Sequence, residues 1–546
     1  MTSKPAVAVS RRESLAVAAC CALASLLAVA WSWCHHAMLN YGDAVAHLHI
    51  ARRVFDARLP RVSELGSVWL PLPHVLMLPF VQVYAWWANG VAGMIPSALA
   101  YVVACIGIYR LGRCWLAPAP AALCLAFFAL NPNLLYLQTT AMTEPLFLCE
   151  MIWMVLWLVE WRTCFEDDPQ RARRLLCCIA LVLVAAIFTR YDGWVMALLA
   201  WTAVGVDLLR RGRLRSLTFW LASVVIVAAP IVWFVYNSAA FGDWLYFMRG
   251  PYSAKVIELR TMSHGDGPPH PGWHNMGVSL LFFMKAAEMD AVAAAWGNFL
   301  LGVSLLGTVA AWLVNRKRGF DWALLLWLPA PFYAYSIAYG SVPIFLPPWW
   351  PHSWYNTRYG MELLPALALG LGFAAQGALL AFREFKPQWV RYGLGALSAL
   401  LALNVGKMIR ETPITYEEGI KNIESRRAFE QQIPPVLRAQ FAQHPGASVL
   451  MDTSTYPNLV AFTGIPLRQT INESDLYLYD AALKAPAAHA QFVLAYDGDA
   501  IDEAVHAHAE GLRAIQHFDA PKQRSGTLYV SDMPYPPQSL PAQPTR

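Results

Sequence analysis

The chain has 546 residues, of which 57% are hydrophobic and 14% are charged, and its mean hydropathy is +0.39. A typical soluble domain is about 45–50% apolar and about 25% charged, so the composition excludes an ordinary water-soluble enzyme, a disordered chain and a small disulfide-stapled scaffold. The net charge of +5 is too small to indicate a nucleic-acid-binding protein.

Long apolar stretches recur along most of the chain and predict an all-α polytopic membrane protein. A helix that spans a bilayer needs about 20 mostly apolar residues. Eleven stretches come close to this length, and they predict about eleven transmembrane helices. They are 14–34, 93–110, 119–136, 145–161, 175–189, 192–208, 217–236, 293–314, 321–341, 359–382 and 391–409.

The basic residues between these stretches predict the orientation of the chain. Cytoplasmic loops carry an excess of Lys and Arg, and with these spans every basic cluster falls on one side of the membrane. The N-terminus is therefore expected in the cytoplasm and the C-terminal region outside, in the periplasm or extracellular space. Residues 69–90, which include Pro71, Pro73 and Pro79, are then predicted to form a surface or re-entrant helix.

The composition changes to that of a soluble domain beyond residue 410. Residues 422–442 are predicted to form a helix, and short strands are predicted at 447–452, 491–496 and 527–531. We therefore expect a membrane module over 1–410, a small extracytoplasmic α/β domain over 411–532 and a disordered Pro-rich tail over 533–546. The membrane module would carry two long outer loops, 35–92 and 237–292.

Asp43 follows the first span and begins a predicted helix in the first outer loop. Asp43 and His47 are four residues apart and therefore share one helical face. The simple interpretation is a carboxylate that caps the helix N-terminus. The alternative is a general base or metal ligand at the outer face of the membrane, with His47 contacting the substrate.

Glu144 precedes Pro145, which suits the first turn of a helix. It is either another carboxylate at a helix start or a partner of Asp43, because both lie on the outer side in this topology. Two carboxylates there are able to share acid–base work or to bind a divalent cation. No sharp ligand spacing supports a metal, so the metal site stays unknown and no cofactor is certain.

Arg190 and Asp192 lie between two apolar runs with almost no loop between them. Charges near membrane depth are costly unless they are paired or solvated, and they are functional candidates for that reason. An ion pair is the simple interpretation. The alternative is that Arg190 faces an anionic substrate group, because guanidinium suits phosphate.

His352, Arg358 and Tyr359 belong to an aromatic segment before a late span. Aromatic belts at the membrane interface account for most of the Trp and Tyr there, but not for His352 and Arg358. Arg358 is a candidate for gripping a phosphate. Lys255 in the long loop is a second candidate cation, although a solvated lysine is the simpler interpretation.

The order and sidedness of these short motifs resemble the GT-C superfamily of integral membrane glycosyltransferases, in particular its bacterial protein-mannosyltransferase and lipopolysaccharide-sugar-transferase type. The resemblance covers most of residues 14–410. One departure concerns Ala44, because many members have a second acidic residue directly after the first. The motifs that carry the resemblance are 41–43, 69–74, 131–132, 142–145, 189–193 and 356–359, followed by Pro365.

The resemblance implies a donor sugar on a polyprenyl phosphate and an acceptor that is a lipid, a glycan or a protein. It implies that Asp43 deprotonates the acceptor hydroxyl, which attacks the anomeric carbon with inversion. Glu144 would position the acceptor or assist the base, and Arg190, Arg358 or Lys255 would stabilise the leaving phosphate. Asp192, His352 and Tyr359 would complete the substrate site, and the enzyme would be a hexosyl- or pentosyltransferase.

A multi-pass secondary transporter is the main alternative, because it would also combine many spans with charges at membrane depth. Transporters usually carry inverted repeats and broken helices at the midplane. The chain instead concentrates charge at one face, next to long outer loops and a soluble domain. A scaffold or sensor protein would leave Asp43, Glu144 and Arg358 without a role.

Overall fold

The structure is a computed structural model that describes residues 9–262, 268–386, 388–521 and 523–533. The chain forms two compact units. The first comprises Met1–Ala37, Gly66–Leu76 and Met94–Glu418, and the second comprises Met38–Leu65, Met77–Gly93 and Gly419–Arg546. The predicted disordered tail lies outside the described residues, apart from Met533.

Helices dominate the chain up to residue 410. In chain order they are α1 (Arg11–Cys34), α2 (Gly42–Asp56), α3 (Leu72–Val81), α4 (Tyr84–Ala88), α5 (Val91–Arg113), α6 (Pro118–Ala129), α7 (Pro132–Leu137), α8 (Glu144–Cys164), α9 (Pro169–Thr189), α10 (Asp192–Arg210), α11 (Leu217–Phe241), α12 (Tyr246–Arg249), α13 (Ala254–Met262), α14 (Met276–Ala291), α15 (Gly297–Asn315), α16 (Pro329–Tyr339), α17 (Leu364–Phe385) and α18 (Trp389–Arg410).

Eight helical stretches in the described part of the chain are long and apolar enough to cross a membrane. They are Arg11–Cys34, Val91–Arg113, Pro169–Thr189, Asp192–Arg210, Leu217–Phe241, Ala294–Asn315, Thr357–Glu384 and Trp389–Glu424. This confirms the predicted polytopic helical class, with eight such stretches where eleven were expected. Local breaks explain two of the three others, 119–136 and 321–341.

Two breaks in the backbone have visible causes. The Asn131 side chain accepts hydrogen bonds from the backbone N–H groups of Asn133 and Leu134, at 3.0 and 3.2 Å, and so starts a new helix, α7, after α6. The stretch 321–341 begins as a 3-10 helix, Phe320–Trp327, before Pro329 starts α16. The third expected span, 145–161, lies in α8, which carries three glutamates and one arginine along its 21 residues.

The segment expected to form a surface helix is divided into two short helices. Helix α3 has 10 residues and contains Pro79, and α4 has 5 residues. Neither helix is long enough to span a bilayer by itself.

The close packing of α15 on α17 depends on glycine. A Cβ atom at Gly370 in α17 would overlap the carbonyl oxygen of Ser304 in α15 and lie 2.7 Å from the Thr308 hydroxyl. Small residues at such crossings allow helix backbones to approach closely.

Replacing Gly370 by Ala is therefore expected to lower the stability of the protein by about 1–3 kcal/mol, because the added methyl group forces α15 and α17 apart. Thermal unfolding of the detergent-solubilised protein measures this change. Gly377→Ala is the matched control in the same helix, because a Cβ atom there meets no atom within 4 Å. Equal melting temperatures for the two variants would contradict the packing argument.

The C-terminal region of the second unit contains a five-stranded sheet, which includes the three strands that the sequence predicts and two strands that it does not. The strand order is β2-β1-β3-β5-β4, in which β1 is parallel to β2 and β3, while β5 is antiparallel to β3 and β4. The elements are α19 (Ile414–Glu424), α20 (Arg427–Gln443), β1 (Val449–Leu450), α21 (Asn458–Thr463), β2 (Thr470–Ile471), α22 (Tyr477–Lys484), α23 (Pro486–His489), β3 (Phe492–Tyr496), α24 (Ala500–Ala507), β4 (Leu512–Phe518) and β5 (Gly526–Ser531).

Part of the segment that was predicted as the first outer loop belongs to the same compact unit as this sheet. Arg53 near the end of α2 is 6% exposed, and its guanidinium binds three partners. It contacts Glu64 Oε2 at 2.7 Å, Asn472 Oδ1 at 3.0 Å and Asp475 Oδ1 at 3.4 Å. The buried arginine therefore ties α2 to the segment that follows β2.

The Glu473 carboxylate in this unit lies close to Asp452. Burial, and to a lesser extent the charge of Asp452, raises the pKa of Glu473 to about 7 from an ordinary value of 4.5. Because the folded state then holds this proton more tightly than the unfolded state, the stability of the protein falls as the pH rises from below 4.5 to above 7.

Glu473→Gln is expected to reduce this loss of stability, because the amide cannot ionise. The measurement is the melting temperature of each protein at pH 5 and at pH 8. Glu503→Gln is the matched control, because Glu503 is exposed on α24. A wild-type protein and a Glu473→Gln variant with the same pH dependence would contradict this assignment.

Candidate active site

Glu144 is the centre of a buried cluster of charged side chains in the first unit. Its Oε1 atom accepts a hydrogen bond from Arg358 Nε at 3.1 Å and lies 3.4 Å from Arg190 Nη1. Arg358 also binds Glu418 Oε1 through Nη1 at 3.0 Å. One carboxylate oxygen thus joins two arginines that are distant from each other in the sequence.

A second group of side chains surrounds Arg190. Its Nε binds Asp192 Oδ2 at 3.1 Å, and its Nη2 binds Glu362 Oε1 at 3.1 Å. Tyr333 joins the same group, because its hydroxyl lies 2.8 Å from Arg190 Nη2, 2.7 Å from Glu362 Oε1 and 3.2 Å from Asp192 Oδ2. The ion pair that was the simple interpretation of Arg190 and Asp192 therefore exists, within a larger network.

Tyr359 contacts both arginines through its ring. The guanidinium carbons of Arg190 and Arg358 lie 4.9 and 5.1 Å from the ring centroid, within the range of a cation–π interaction. The ring thereby helps to hold the two cations close to each other.

Helix ends place these side chains. Glu144 is the first residue of α8, Arg190 follows the last residue of α9, and Asp192 is the first residue of α10. Arg358 lies in the 3-10 helix Thr357–Leu363, which leads into α17. A carboxylate at a helix start is stabilised by the positive end of the helix dipole.

Carboxylates outnumber cations in this cluster. Four carboxylates, those of Glu144, Asp192, Glu362 and Glu418, surround two arginines, and the side chains of Arg358 and Arg190 are only 5% and 13% exposed. Asp290 lies nearby, and burial together with the charges of Glu418 and Glu144 raises its pKa well above the ordinary value. Because carboxylates are in excess, the neutral acid form of Asp290 is favoured. The same excess of negative charge stabilises the two arginines in the cluster.

Several buried carboxylate oxygens of the cluster have no hydrogen-bond partner among the described residues, including Glu362 Oε2 and both oxygens of Asp290. Within the described part of the chain, Glu144 Oε2 is buried and accepts no hydrogen bond. A buried acceptor without a partner is costly, and such groups often mark functional sites.

The structure does not bring every predicted site residue to this cluster. The ion pair of Lys255 is with Glu258, at 2.7 Å, and its side chain is 57% exposed. His352 is exposed, and its Nδ1 contacts the carbonyl oxygen of Pro347 at 3.0 Å.

Asp43 and His47 belong to the second unit. Helix α2 begins at Gly42 and its N-cap residue is Tyr41, so Asp43 lies in the first turn instead of capping the helix. His47 is 3% exposed, whereas Asp43 is half-buried. The two residues lie on one helical face, as their spacing predicts.

A metal site finds no support in the side-chain arrangement. Over the residues that the structure describes, no group of three or more His, Cys, Asp or Glu side chains is arranged to hold a metal ion.

Four residues of the cluster are absent from the sequence-based prediction. Tyr333 and Glu362 lie inside apolar stretches, and Glu362 follows Tyr359 at the three-residue spacing that places side chains on one helical face. This spacing is a signal that the sequence offers. Asp290 lies near the end of α14, and Glu418 lies beyond residue 410. No local sequence pattern connects either residue with Glu144.

The chain is similar to known proteins in sequence and in fold. No protein-family model matches the sequence. The chain is 22% identical over 374 residues to the undecaprenyl phosphate-alpha-4-amino-4-deoxy-L-arabinose arabinosyl transferase 2 of Proteus mirabilis (strain HI4320), and the match covers 62% of this chain and 62% of the relative. The chain thus spans about three fifths of the length of this curated relative.

Two solved structures are similar to the chain. The crystal structure of ArnT from Cupriavidus metallidurans bound to undecaprenyl phosphate matches with a TM-score of 0.54 and 13% identity, over 92% of this chain and 97% of ArnT. The Archaeoglobus fulgidus oligosaccharyltransferase tethered with an acceptor peptide has a TM-score of 0.43 and 10% identity, over 95% of this chain and 74% of that protein. The chain shares the fold of ArnT, and the resemblance expected from the motifs is thereby confirmed at the level of the fold.

Proposed function

We propose that the chain is a membrane glycosyltransferase that takes its sugar from a polyprenyl-phosphate donor. The observation that carries the proposal is the GT-C fold combined with a buried cluster in which Glu144 joins Arg190 and Arg358. The ArnT structure that shares this fold is bound to undecaprenyl phosphate. An isoprenoid donor also suits a chain with many apolar helices, because its lipid stays in the bilayer.

The proposed reaction is an inverting transfer. Asp43 removes the proton from an acceptor hydroxyl, and the hydroxyl oxygen attacks the anomeric carbon of the donor sugar. The bond between that carbon and the phosphate oxygen breaks, and polyprenyl phosphate leaves with the bonding electrons. No nucleotide is needed, because the phosphate ester is itself the activated bond.

Arg190 is the proposed cation for the phosphate. Of the two arginines it is the more exposed, at 13% against 5% for Arg358, and its guanidinium already binds oxygen atoms of three carboxylates. An arginine held in this way has a fixed position, and the donor phosphate would replace one of these carboxylate partners. Arg358 then supports Arg190 through Glu144 and Tyr359.

Glu144 is the proposed positioning group for a substrate hydroxyl. Its Oε1 atom is engaged by the arginines, whereas Oε2 is buried and accepts no hydrogen bond from the described residues. A sugar or acceptor hydroxyl would satisfy this atom. The proposed acceptor is a lipid, glycan or protein hydroxyl outside the bacterial inner membrane, on the side where the C-terminal domain is also proposed to lie.

Native mass spectrometry of the purified protein tests the donor class. Undecaprenyl phosphate is expected to remain bound when phosphatidylglycerol, another anionic lipid with a phosphate group, is removed by detergent. Arg190→Gln should weaken the retention, and Arg249→Gln is the matched control because its side chain is 61% exposed. Equal retention of both lipids by the wild-type protein would contradict a polyprenyl-phosphate donor.

A further inference from the structure

The junction between α19 and α20 lies against the start of α2, within the second unit. Arg426 is 5% exposed at this junction, and its Nη2 atom donates to the carbonyl oxygen of Asn40 at 2.8 Å. Asn422, one turn earlier, accepts a hydrogen bond from the backbone N–H of Gly42 through Oδ1 at 2.9 Å. Two side chains about 380 residues away in the sequence thus bind the backbone on either side of Tyr41.

The other nitrogen atoms of the Arg426 guanidinium, Nε and Nη1, also have hydrogen-bond partners. Its Nε donates to the carbonyl oxygen of Asn422 at 3.2 Å, and its Nη1 binds Glu430 Oε1 at 3.2 Å. Glu430 also accepts from the backbone N–H and the side-chain amide of Asn458, at 3.3 and 3.0 Å. The planar fork of an arginine is suited to several simultaneous contacts of this kind.

Gly42 fits closely on the same two side chains. A Cβ atom built at Gly42 would lie 3.3 Å from Asn422 Oδ1 and 4.0 Å from the guanidinium of Arg426. The first residue of α2 therefore rests on the α19–α20 junction, and Asp43 is the next residue along the helix.

Asp43 is also linked to Arg426 by charge. Burial lowers the pKa of Arg426, and the carboxylates of Glu430 and Asp43 oppose this effect, which places both carboxylates within electrostatic reach of the guanidinium.

We propose that Arg426, together with Asn422, is a positioning residue that fixes the Asn40–Asp43 turn and aims the Asp43 carboxylate. This inference rests on the proposed function, in which Asp43 is the general base. A base must be held in the geometry in which it reaches the hydroxyl proton, and a displacement of about 1 Å can reduce the rate about 100-fold. The C-terminal domain thereby contributes to catalysis without touching the substrate.

The test compares the full-length variants Arg426→Gln, Arg426→Lys and Asn422→Ala in a sugar-transfer assay. Arg426→Gln is expected to lower kcat about 10- to 100-fold with little change in KM, because it disturbs the base and not substrate binding. Arg426→Lys should have a higher kcat than Arg426→Gln, because lysine keeps the positive charge but lacks the planar guanidinium that makes several hydrogen bonds at once.

Arg438→Gln is the matched control, because Arg438 lies on α20 and, like Arg426, donates to two backbone carbonyls, those of Phe462 and Thr463. It should keep the wild-type kcat. Asn422 is exposed, so Asn422→Ala is expected to fold and to lower kcat several-fold, and it decides the question if Arg426→Gln does not fold.

The outcomes separate this inference from the proposed function. If Asp43→Asn is inactive while folded Arg426→Gln or Asn422→Ala keeps the wild-type kcat, the positioning role is wrong and the base assignment stands. An equal loss in Arg438→Gln would also overturn it. Full turnover in Asp43→Asn would remove the base assignment and this inference with it.

Discussion

Replacing Asp43 by Asn is expected to abolish sugar transfer while the protein remains folded and inserted in the membrane. Asparagine has nearly the same size as aspartate but cannot accept the proton of an acceptor hydroxyl, and general base catalysis contributes about 100- to 10,000-fold. Asp43 is half-buried in the first turn of α2, so the exchange removes little packing. Product formation from a polyprenyl-phosphate-linked sugar measures the effect.

Asp480→Asn provides the control for this variant, because Asp480 is an exposed carboxylate in the same unit. It should leave turnover unchanged. Undiminished turnover in Asp43→Asn would remove Asp43 from the mechanism.

Arg358→Ala is expected to destabilise the protein by about 3–5 kcal/mol, because it leaves two buried carboxylates without this cation. Arg358 is 5% exposed and binds both Glu144 and Glu418. The same change should also weaken the binding of undecaprenyl phosphate. Without Arg358, the Glu144 carboxylate is paired with Arg190 alone and competes with the lipid phosphate for that cation. The melting temperature with and without this lipid measures both effects.

Arg249→Ala is the control for Arg358→Ala, since the guanidinium of Arg249 is largely exposed and 3.4 Å from Asp243. Its melting temperature should stay close to that of the wild-type protein. An Arg358→Ala variant as stable as the wild-type protein, with unchanged stabilisation by the lipid, would contradict both roles.

The sequence identified several members of the buried cluster because charges are rare at membrane depth. Glu144, Arg190, Asp192 and Arg358 each stand at the end of an apolar run, and the expected sidedness placed them on one face. Their actual partners were harder to find. Glu418 lies beyond the last predicted span. Its contact with Arg358 depends on the tertiary fold of the chain, and no local sequence spacing predicts that contact.

The membrane helices show a similar limit. Hydropathy recognises apolar composition, but the continuity of a helix depends on side-chain caps and backbone geometry. Asn131 ends one apolar helix and starts another, and a 3-10 segment precedes Pro329, so two expected spans are interrupted. The C-terminal strands were easier to predict, because short apolar runs there stand out from a polar background.

The most direct test is mass spectrometry of envelope glycans and glycoproteins from a bacterial strain that lacks this chain, complemented with the wild-type protein or with Asp43→Asn. We expect one specific sugar to be missing from the deletion strain, to return with the wild-type protein, and to stay absent with the variant. Unchanged glycans in the deletion strain would contradict the assignment as a glycosyltransferase and would favour a transporter or scaffold.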